Sequence, residues 1–494
     1  MFLNSTMMTS FLFAAAAQSS AIKLEVIFSE TANLTYQLDT VAGLLRASDP
    51  RDFQALWKER FLRSNEDHAQ LAKWAALRRK YSVSAELPSL PMQLAPRQSN
   101  ISLGENIRSV GLGAQSLEAY ELSLADMVLP ADVHQFVDIV RYFQPRFRIW
   151  WQSEAATMGH AFTTGMQRLL SDPKVTEQVE RFRKFYGSTL PNGYKAPFSL
   201  IYRPMLVLTP TSGQQLGRMS VVEFPATEKP ERRLEVVLHE FCHFLYGTRA
   251  PHDDQNLQIR FADANEVGAR PSYNLMNEAL ATALGNGVIG RMFRAPGTWT
   301  QYLETPRSFY NNEHIDRAGK RILKVMDEWL PNGKTMNDPD FVPTYIAALK
   351  QEFGEEITTP SLFLNESYIF VSEQIGADFV GKIIQIIRIS SAWAISGEAP
   401  DKNNLADFKE HPNLSAIFVI PPTQLEVLTS LDILKGPDVA AIKKALGGQK
   451  SATYLAPRGS MAYSLVIVAD DVAEAERRLN QISAMRKMVN GVNR

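Results

Sequence analysis

The stretch "LEVVLHEFCHFLYG", Leu234 to Gly247, places two histidines and a glutamate in the middle of an otherwise largely apolar segment. A helix that is apolar on every face is normally buried. Burying an ionised carboxylate and two imidazoles costs several kcal/mol unless a partner compensates them. The core character comes from Val236, Val237, Leu238, Phe241, Cys242, Phe244 and Leu245. Pro230 suits the first position of such a helix and Gly247 its C-terminal end. The stretch therefore predicts a buried helix whose polar side chains share a partner, and a metal ion suits them.

The spacing of these polar residues indicates a zinc site. His239 and His243 are four residues apart, so a helix projects both side chains from one face. Two imidazoles at this spacing can each place a ring nitrogen about 2.0–2.1 Å from one zinc ion. Glu240, about 100° round the helix from His239, can act on water at the metal as a general base without being a ligand. This is the H-E-x-x-H arrangement; the alternative is a hydrogen-bonded pair of core histidines with a buried salt bridge.

A third ligand must come from elsewhere, because catalytic zinc usually has three protein ligands and one open position. Two downstream segments offer one, Glu266 in "NEVGA" and Glu278 in "NEALA". Glu278 lies in "YNLMNEALATALGNG", which is rich in helix formers and has small residues that allow close packing. A glycine and an Arg-Pro pair follow Glu266 and disfavour a rigid helix. Glu278 is the preferred ligand, and Glu266 stays open as the alternative.

These motifs resemble those of the gluzincins, the thermolysin-like zinc peptidases. "HEFCH" (239–243) and "NEALA" (277–281) carry the resemblance. It implies a zincin-like catalytic domain that holds one Zn²⁺ ion on the two histidines and Glu278, with Glu240 as the catalytic residue. The sequence departs from thermolysin in its longer gap from His243 to Glu278. It also has Thr282 four residues after the ligand Glu, where thermolysin-like enzymes place an Asp that orients a ligand His.

The resemblance also implies how a substrate is held. In gluzincins the strand before the motif helix is a sheet edge, and an extended peptide pairs with it. The matching strand here is "GRMSVVEFP", Gly217 to Pro225. Pairing through main-chain hydrogen bonds is largely indifferent to side chains. A peptide or protein substrate with broad sequence tolerance is therefore expected.

The order of predicted helices and strands along the chain predicts an α+β fold with two parts. Residues 22–355 are expected to form a helix-rich, zincin-like metallopeptidase region with a small sheet, and residues 356–494 a smaller C-terminal α/β domain. In the first part, "SLIYRPMLVLTP" and "GRMSVVEFP" read as strands joined by "TSGQQLG", a turn-forming sequence, and Pro145 interrupts a helical stretch. In the second, the predicted strands are "SLFLNESYIFV", "LSAIFVI", "ATYLAP" and "AYSLVIVA".

The N-terminus predicts a secretory signal peptide over residues 1–21. Met7–Ala17 is apolar but too short to span a bilayer, and "AAAAQSSA" offers cleavage sites, although no Lys or Arg precedes the apolar run. Residues 22–494 contain no stable membrane span by this reading. The single cysteine excludes an intramolecular disulfide, and a net charge of −1 gives no basic excess for nucleic acid. A secreted or periplasmic protein is the expectation.

Several other residues could contribute to chemistry, but a structural role is favoured for each. Cys242 is expected to be a small buried hydrophobe, His252 a loop residue, and the pair Trp150–Trp151 a packing element. Three residues are alternatives for the group that stabilises an oxyanion: Tyr310, His314 and Tyr368.

Taken together, the ligand set predicts a zinc-dependent metallopeptidase. Zinc acidifies water and polarises the scissile carbonyl, and Glu240 accepts the proton and passes it to the leaving amine. Two alternatives remain open: a non-catalytic binding protein on a zincin scaffold, and a zinc hydrolase of a non-peptide amide.

Overall fold

The computed structural model describes residues 22–493, apart from 45–49, 82–102, 207–212, 217–218, 265, 267, 390, 403–404, 406–407, 409–413, 459–461 and 489. The predicted signal peptide, residues 1–21, lies outside the described residues. The described chain is mixed α/β and contains two mixed sheets. The presence of both helices and sheets is therefore confirmed, whereas the zincin-like arrangement stays a prediction.

The first sheet has four strands in the spatial order β1-β2-β4-β3. Strands β1, β2 and β4 run parallel, and β3 pairs antiparallel with β4, with Gln214 opposite Val221. Their bounds are β1 Lys23–Ile27, β2 Lys195–Arg203, β3 Gly213–Leu216 and β4 Met219–Pro225.

The second sheet has six strands in the order β10-β8-β9-β7-β5-β6. Strands β6, β5, β7 and β9 are parallel, and β8 and β10 complete the sheet in antiparallel pairs. The bounds are β5 Glu366–Ser372, β6 Ser391–Gly397, β7 Ser415–Ile420, β8 Ser451–Arg458, β9 Ala462–Ala469 and β10 Gly491–Asn493. Apolar clusters cover both faces, which explains why β7 and β9 are almost continuously apolar.

Helices make up most of the remaining described chain. Before the first sheet is complete they are α1 Glu30–Val41, α2 Arg51–Arg60, α3 Asn65–Lys80, α4 Leu103–Gly113, α5 Leu117–Ala125, α6 Pro130–Trp150, α7 Ala156–Leu170 and α8 Pro173–Tyr186. The middle of the chain forms α9 Pro230–Gly247, α10 Pro251–Asp263, α11 Ala269–Ala281, α12 Gly290–Met292, α13 Pro296–Glu304, α14 Glu313–Trp329, α15 Phe341–Phe353 and α16 Pro360–Phe363. The C-terminal part adds α17 Phe379–Ile387, α18 Leu425–Ser430, α19 Gly436–Leu446 and α20 Val472–Ser483.

Two π-helical segments interrupt these helices, Trp151–Ala155 between α6 and α7 and Thr282–Ile289 between α11 and α12. Short 3₁₀ turns occur at Gly354–Thr358 and Pro422–Gln424. Among the helices of the described ranges, none combines the length and apolarity needed to cross a bilayer.

The expected position of the sheet edge was wrong. Strand β4, in the segment predicted to be the edge, pairs with β2 on one side and β3 on the other, so it is internal. The terminal strand on this side of the sheet is β3, "GQQL", which lies within the segment predicted to be a turn, and β1 is terminal on the other side. Its glycine and the Thr-Ser pair before it are typical of turns, but strand pairing uses main-chain groups, so side-chain composition does not reveal it.

The predicted helix break at Pro145 was also wrong. Helix α6 continues through Pro145 from Pro130 to Trp150. A proline inside a helix removes one hydrogen bond and costs about 3 kcal/mol. Buried aromatic residues on both sides of it, Phe143 and Phe147, pack against Trp57 and Phe61 respectively and offset that cost.

The chain divides into two compact units. One comprises Met1–Pro251, Ala283–Trp299 and Trp329–Thr335 and contains the four-stranded sheet and α9. The other comprises His252–Thr282, Thr300–Glu328 and Met336–Arg494 and contains the six-stranded sheet. The boundary between the two units falls after Thr282, inside a continuous helical stretch in which α11 leads directly into the π-helical segment. The predicted domain boundary between residues 355 and 356 stays a prediction.

Candidate metal centre

Helix α9 carries the two histidines and the glutamate of the opening motif. Pro230 occupies its first turn, where a proline costs no hydrogen bond, and the helix ends at Gly247, which confirms the predicted bounds. It packs on β3, β4, α7 and α8. His239 is 5% exposed and Glu240 is 7% exposed, so both are buried as the apolar flanks predicted, whereas His243 is half-buried.

The two imidazoles converge on one point. The Nε2 atoms of His239 and His243 lie 3.0 Å apart, and the rings are nearly perpendicular, with an interplanar angle of 81°. Two nitrogens bound to one tetrahedral zinc ion at about 2.0–2.1 Å are separated by roughly 3.3 Å. The histidine pair is therefore within a few tenths of an ångström of the spacing that a shared metal ion requires.

The preferred third ligand lies beside this pair. His239, His243 and Glu278 each offer one ligand atom, and these atoms all lie within 4.8 Å of one another. In the part of the chain that the structure describes, no other group of three His, Cys, Asp or Glu side chains meets this condition. The alternative ligand, Glu266, instead accepts a hydrogen bond of 3.0 Å from Lys350 Nζ and is about half exposed. The structure thus brings together the predicted triad and places Glu266 in a surface ion pair.

Asn286 is a residue of the centre that the sequence analysis did not identify. It lies in the π-helical segment, is buried, and its Oδ1 is 2.9 Å from His239 Nδ1. An amide oxygen can only accept, so in the neutral imidazole Nδ1 carries the proton and Nε2 is the bare nitrogen. Thr282, which stands where thermolysin-like enzymes have an Asp, is fully buried, and its hydroxyl has no hydrogen-bond partner among the described residues.

Gly285 lets the two helical segments approach closely. A Cβ atom at this position would lie 2.5 Å from the backbone nitrogen of His239 and 2.6 Å from its Cα. These are backbone atoms of helix α9, which cannot move aside as a flexible side chain can. The glycine therefore fixes how near Asn286 can come to His239.

Gly285→Ala is expected to destabilise the protein by about 1–3 kcal/mol, the usual cost of overpacking a core. The gain of about 1 kcal/mol from replacing glycine in a helix is too small to offset the clash. Urea unfolding of the two proteins measures the difference. Gly381→Ala is the matched control, since Gly381 lies in α17 and nothing lies within 4 Å of the position that a Cβ would take there. A Gly285→Ala protein as stable as the control variant would contradict the close approach.

The other candidate residues lie outside the triad, where they are packed or hydrogen-bonded to other side chains. Cys242 is fully buried, burial raises the pKa of its thiol, and it lies outside the triad. His314 is buried, its Nε2 donates a 3.1 Å hydrogen bond to Glu356 Oε1, and burial lowers the pKa of the imidazole. The remaining residues are Tyr368 in the core of the second sheet, Tyr310 beside Asp316, His252 paired with Asp253 in α10 rather than in a loop, and Trp150–Trp151 within an aromatic cluster. None of the three alternatives for the oxyanion residue is a ligand of the triad, and the choice among them stays a prediction.

The donor set fits a zinc ion. Two imidazole nitrogens and a carboxylate oxygen are the ligands found in many catalytic zinc sites, and His239 presents its unprotonated nitrogen because Asn286 holds the opposite one. The same donors also suit other transition metals, so the identity of the ion is part of the proposal below. Comparison of the chain with known protein families, curated proteins and solved structures finds no match.

Proposed function

We propose that this chain is a zinc-dependent metallopeptidase of the gluzincin type, acting in a secreted or periplasmic setting. The observation that carries the proposal is the triad of His239, which is buried, with His243 and Glu278, which are half-buried, and the carboxylate of Glu240 one residue from the first ligand. A structural metal site is normally closed by four protein ligands, whereas three leave a position for water or substrate.

The roles of the side chains follow from their positions. His239, His243 and Glu278 would hold a zinc ion, which when bound supplies a Lewis acid that acidifies water and polarises a carbonyl group. Glu240 takes the proton from the attacking water and delivers it to the leaving amine. Its burial strengthens both steps, because electrostatic interactions are larger where water is excluded.

Strand β3 is the proposed binding strand for the peptide. It is one of the two terminal strands of its sheet in the described chain, the other being β1, and it contacts helix α9. A Cβ atom on Gly213, its first residue, would lie 2.6 Å from Glu240 Oε1, so the strand passes directly beside the proposed base. A peptide that pairs with β3 would therefore bring its backbone close to Glu240.

The test of the proposal combines metal analysis with an activity assay. The purified chain should contain about one zinc per molecule, hydrolyse a fluorescently labelled unfolded protein, lose that activity to a chelator, and regain it with zinc. Zinc without hydrolysis of any peptide would support the non-catalytic alternative, and hydrolysis restricted to small amides would support the non-peptide hydrolase. Absence of zinc, with another metal in its place, would overturn the assignment of the ion.

Proline in β3 is expected to raise KM for peptides. Gln214 and Gln215 are successive residues, so one of the two N–H groups points toward β4 and the other away from it. Proline at the outward position removes a main-chain donor that a paired peptide needs. Gln214→Pro and Gln215→Pro should both be made, and steady-state kinetics with zinc content should be measured. If both variants kept zinc and wild-type KM, the peptide does not bind along β3.

Gly213→Ala is expected to lower kcat on the order of 10²-fold while zinc is retained. The added methyl group would displace either the strand or the Glu240 carboxylate, and a misplacement of about 1 Å can cost that much. Gly297→Ala is the control, because nothing lies within 4 Å of the position a Cβ would take there. Wild-type kcat in Gly213→Ala would show that the space beside Glu240 is not needed for the reaction.

A further inference from the structure

The contact between Asn286 and His239 joins two segments that are distant in sequence. Both side chains are buried, with 8% of Asn286 and 5% of His239 exposed. The hydrogen bond is 2.9 Å long and spans 47 positions of the chain. A buried polar side chain usually has a partner, and here the partner is the ring nitrogen on the side opposite the metal-facing one.

This bond determines which nitrogen of His239 is free. Because Oδ1 of Asn286 has no proton to give, it stabilises the tautomer with hydrogen on Nδ1. In that tautomer Nε2 carries a lone pair, and Nε2 is the atom that lies 3.0 Å from His243 Nε2. Asn286 thus holds the imidazole in the one protonation pattern that can bind a metal at the triad.

Contacts on both sides of Asn286 restrict its position. Gly285 lies against the backbone of His239, as described above. Farther along the helix, Gly290 lies against the carboxylate of Glu235, and Arg294 donates to that same carboxylate and to the carbonyl of Gly290. Glu235 is four residues before His239, so it shares a face of α9 with it. The hydrogen bond is therefore made between two segments that contacts fix at both ends.

We propose that Asn286 is the positioning residue for His239 and that it sets the metal affinity of the site. Histidine ligands usually donate their second N–H to a carboxylate, a carbonyl or water, and a carboxylate raises the basicity of the ring. An amide oxygen fixes the tautomer equally well but carries no charge, so it polarises the ring less. The site is accordingly adjusted to bind zinc less tightly than a carboxylate at the same position would. This inference rests on the metal site proposed above.

The test measures zinc dissociation constants by competition with a chromophoric chelator. Asn286→Ala should weaken zinc binding by about 10–100-fold, the usual cost of losing such a partner. Asn286→Asp should bind zinc more tightly than the wild type, because it keeps the acceptor and adds charge, and equal affinity would contradict the inferred effect of the neutral amide. Asn274→Ala is the matched control: Asn274 belongs to α11, is also 8% exposed, and donates to the carbonyl of Phe363. Removing this side chain should lower the free energy of unfolding but leave the zinc dissociation constant unchanged.

A second measurement needs neither zinc nor activity. In metal-free protein labelled with ¹⁵N-histidine, NMR spectra should show His239 as the Nδ1–H tautomer in the wild type and in Asn274→Ala. In Asn286→Ala the signal, assigned by its loss in His239→Gln, should shift toward a mixture of tautomers. An unchanged tautomer and unchanged zinc affinity in Asn286→Ala would overturn the inference while leaving the peptidase proposal intact. Conversely, these effects in a chain that hydrolyses no peptide would support Asn286 and contradict the proposed function.

Discussion

Glu240→Gln is expected to lower kcat/KM for peptide hydrolysis by about 10²–10⁴-fold, the typical contribution of a general base. Glutamine keeps the shape of the side chain, but its amide cannot accept a proton from water. Since Glu240 lies outside the triad of ligand atoms, the variant should bind as much zinc as the wild type. Peptide hydrolysis by purified protein, with zinc measured on the same sample, gives both quantities.

Glu231→Gln is the control for this variant. It changes a carboxylate to an amide on the same helix, in the first turn, where the side chain is 41% exposed. Its activity should equal that of the wild type. A Glu240→Gln protein with full activity would remove Glu240 from the mechanism, and one that lost zinc would make Glu240 a ligand.

Glu278→Ala is expected to reduce zinc affinity at least as much as the loss of an outer-shell partner does, that is, by roughly 10–100-fold or more. The reason is that only two imidazoles of the triad remain, and a site with two protein ligands holds zinc weakly. Competition with a chelator measures the affinity directly, and activity should fall with zinc occupancy.

Glu266→Ala tests the alternative ligand under the same conditions. Because Glu266 forms an ion pair with Lys350 that is nearly half exposed on both sides, its loss should change stability by less than about 1 kcal/mol and leave zinc in place. The reverse result, with zinc lost from Glu266→Ala and kept by Glu278→Ala, would move the third ligand to Glu266.

The sequence predicted the parts of the centre that local rules govern. The motif helix, its proline start and its glycine end follow from turn and capping preferences, and the four-residue spacing of the histidines places them on one face of that helix. Glu278 could be preferred over Glu266 because a helix with small residues suits close packing. These features depend on residues within a few turns of one another.

Strand β3 and Asn286 could not be predicted in this way. The pairing of β3 with β4 is a main-chain property, and the segment that contains "GQQL" resembles a turn. Asn286 follows Glu278 by eight residues, and the chain changes from α-helix to π-helix between them, so neither the four-residue spacing of the thermolysin pattern nor α-helical periodicity points to it. The pairing of β3 and the position of Asn286 both depend on tertiary packing around α9.

The π-helical segment Thr282–Ile289 makes this stretch of the chain unusually tolerant of losing one residue. A π helix bonds residue i to residue i+5, so each of its hydrogen-bonded turns encloses one residue more than an α-helical turn does. Deleting a single residue there would allow a turn to become α-helical with its backbone hydrogen bonds intact. The narrower turn takes up the loss, so the residues that follow would keep roughly their direction. In α11, where every residue advances the helix by about 100°, the same deletion would rotate all the residues that follow. The π segment is thus the place where the length of this helical stretch can change with the least effect on the side chains beyond it.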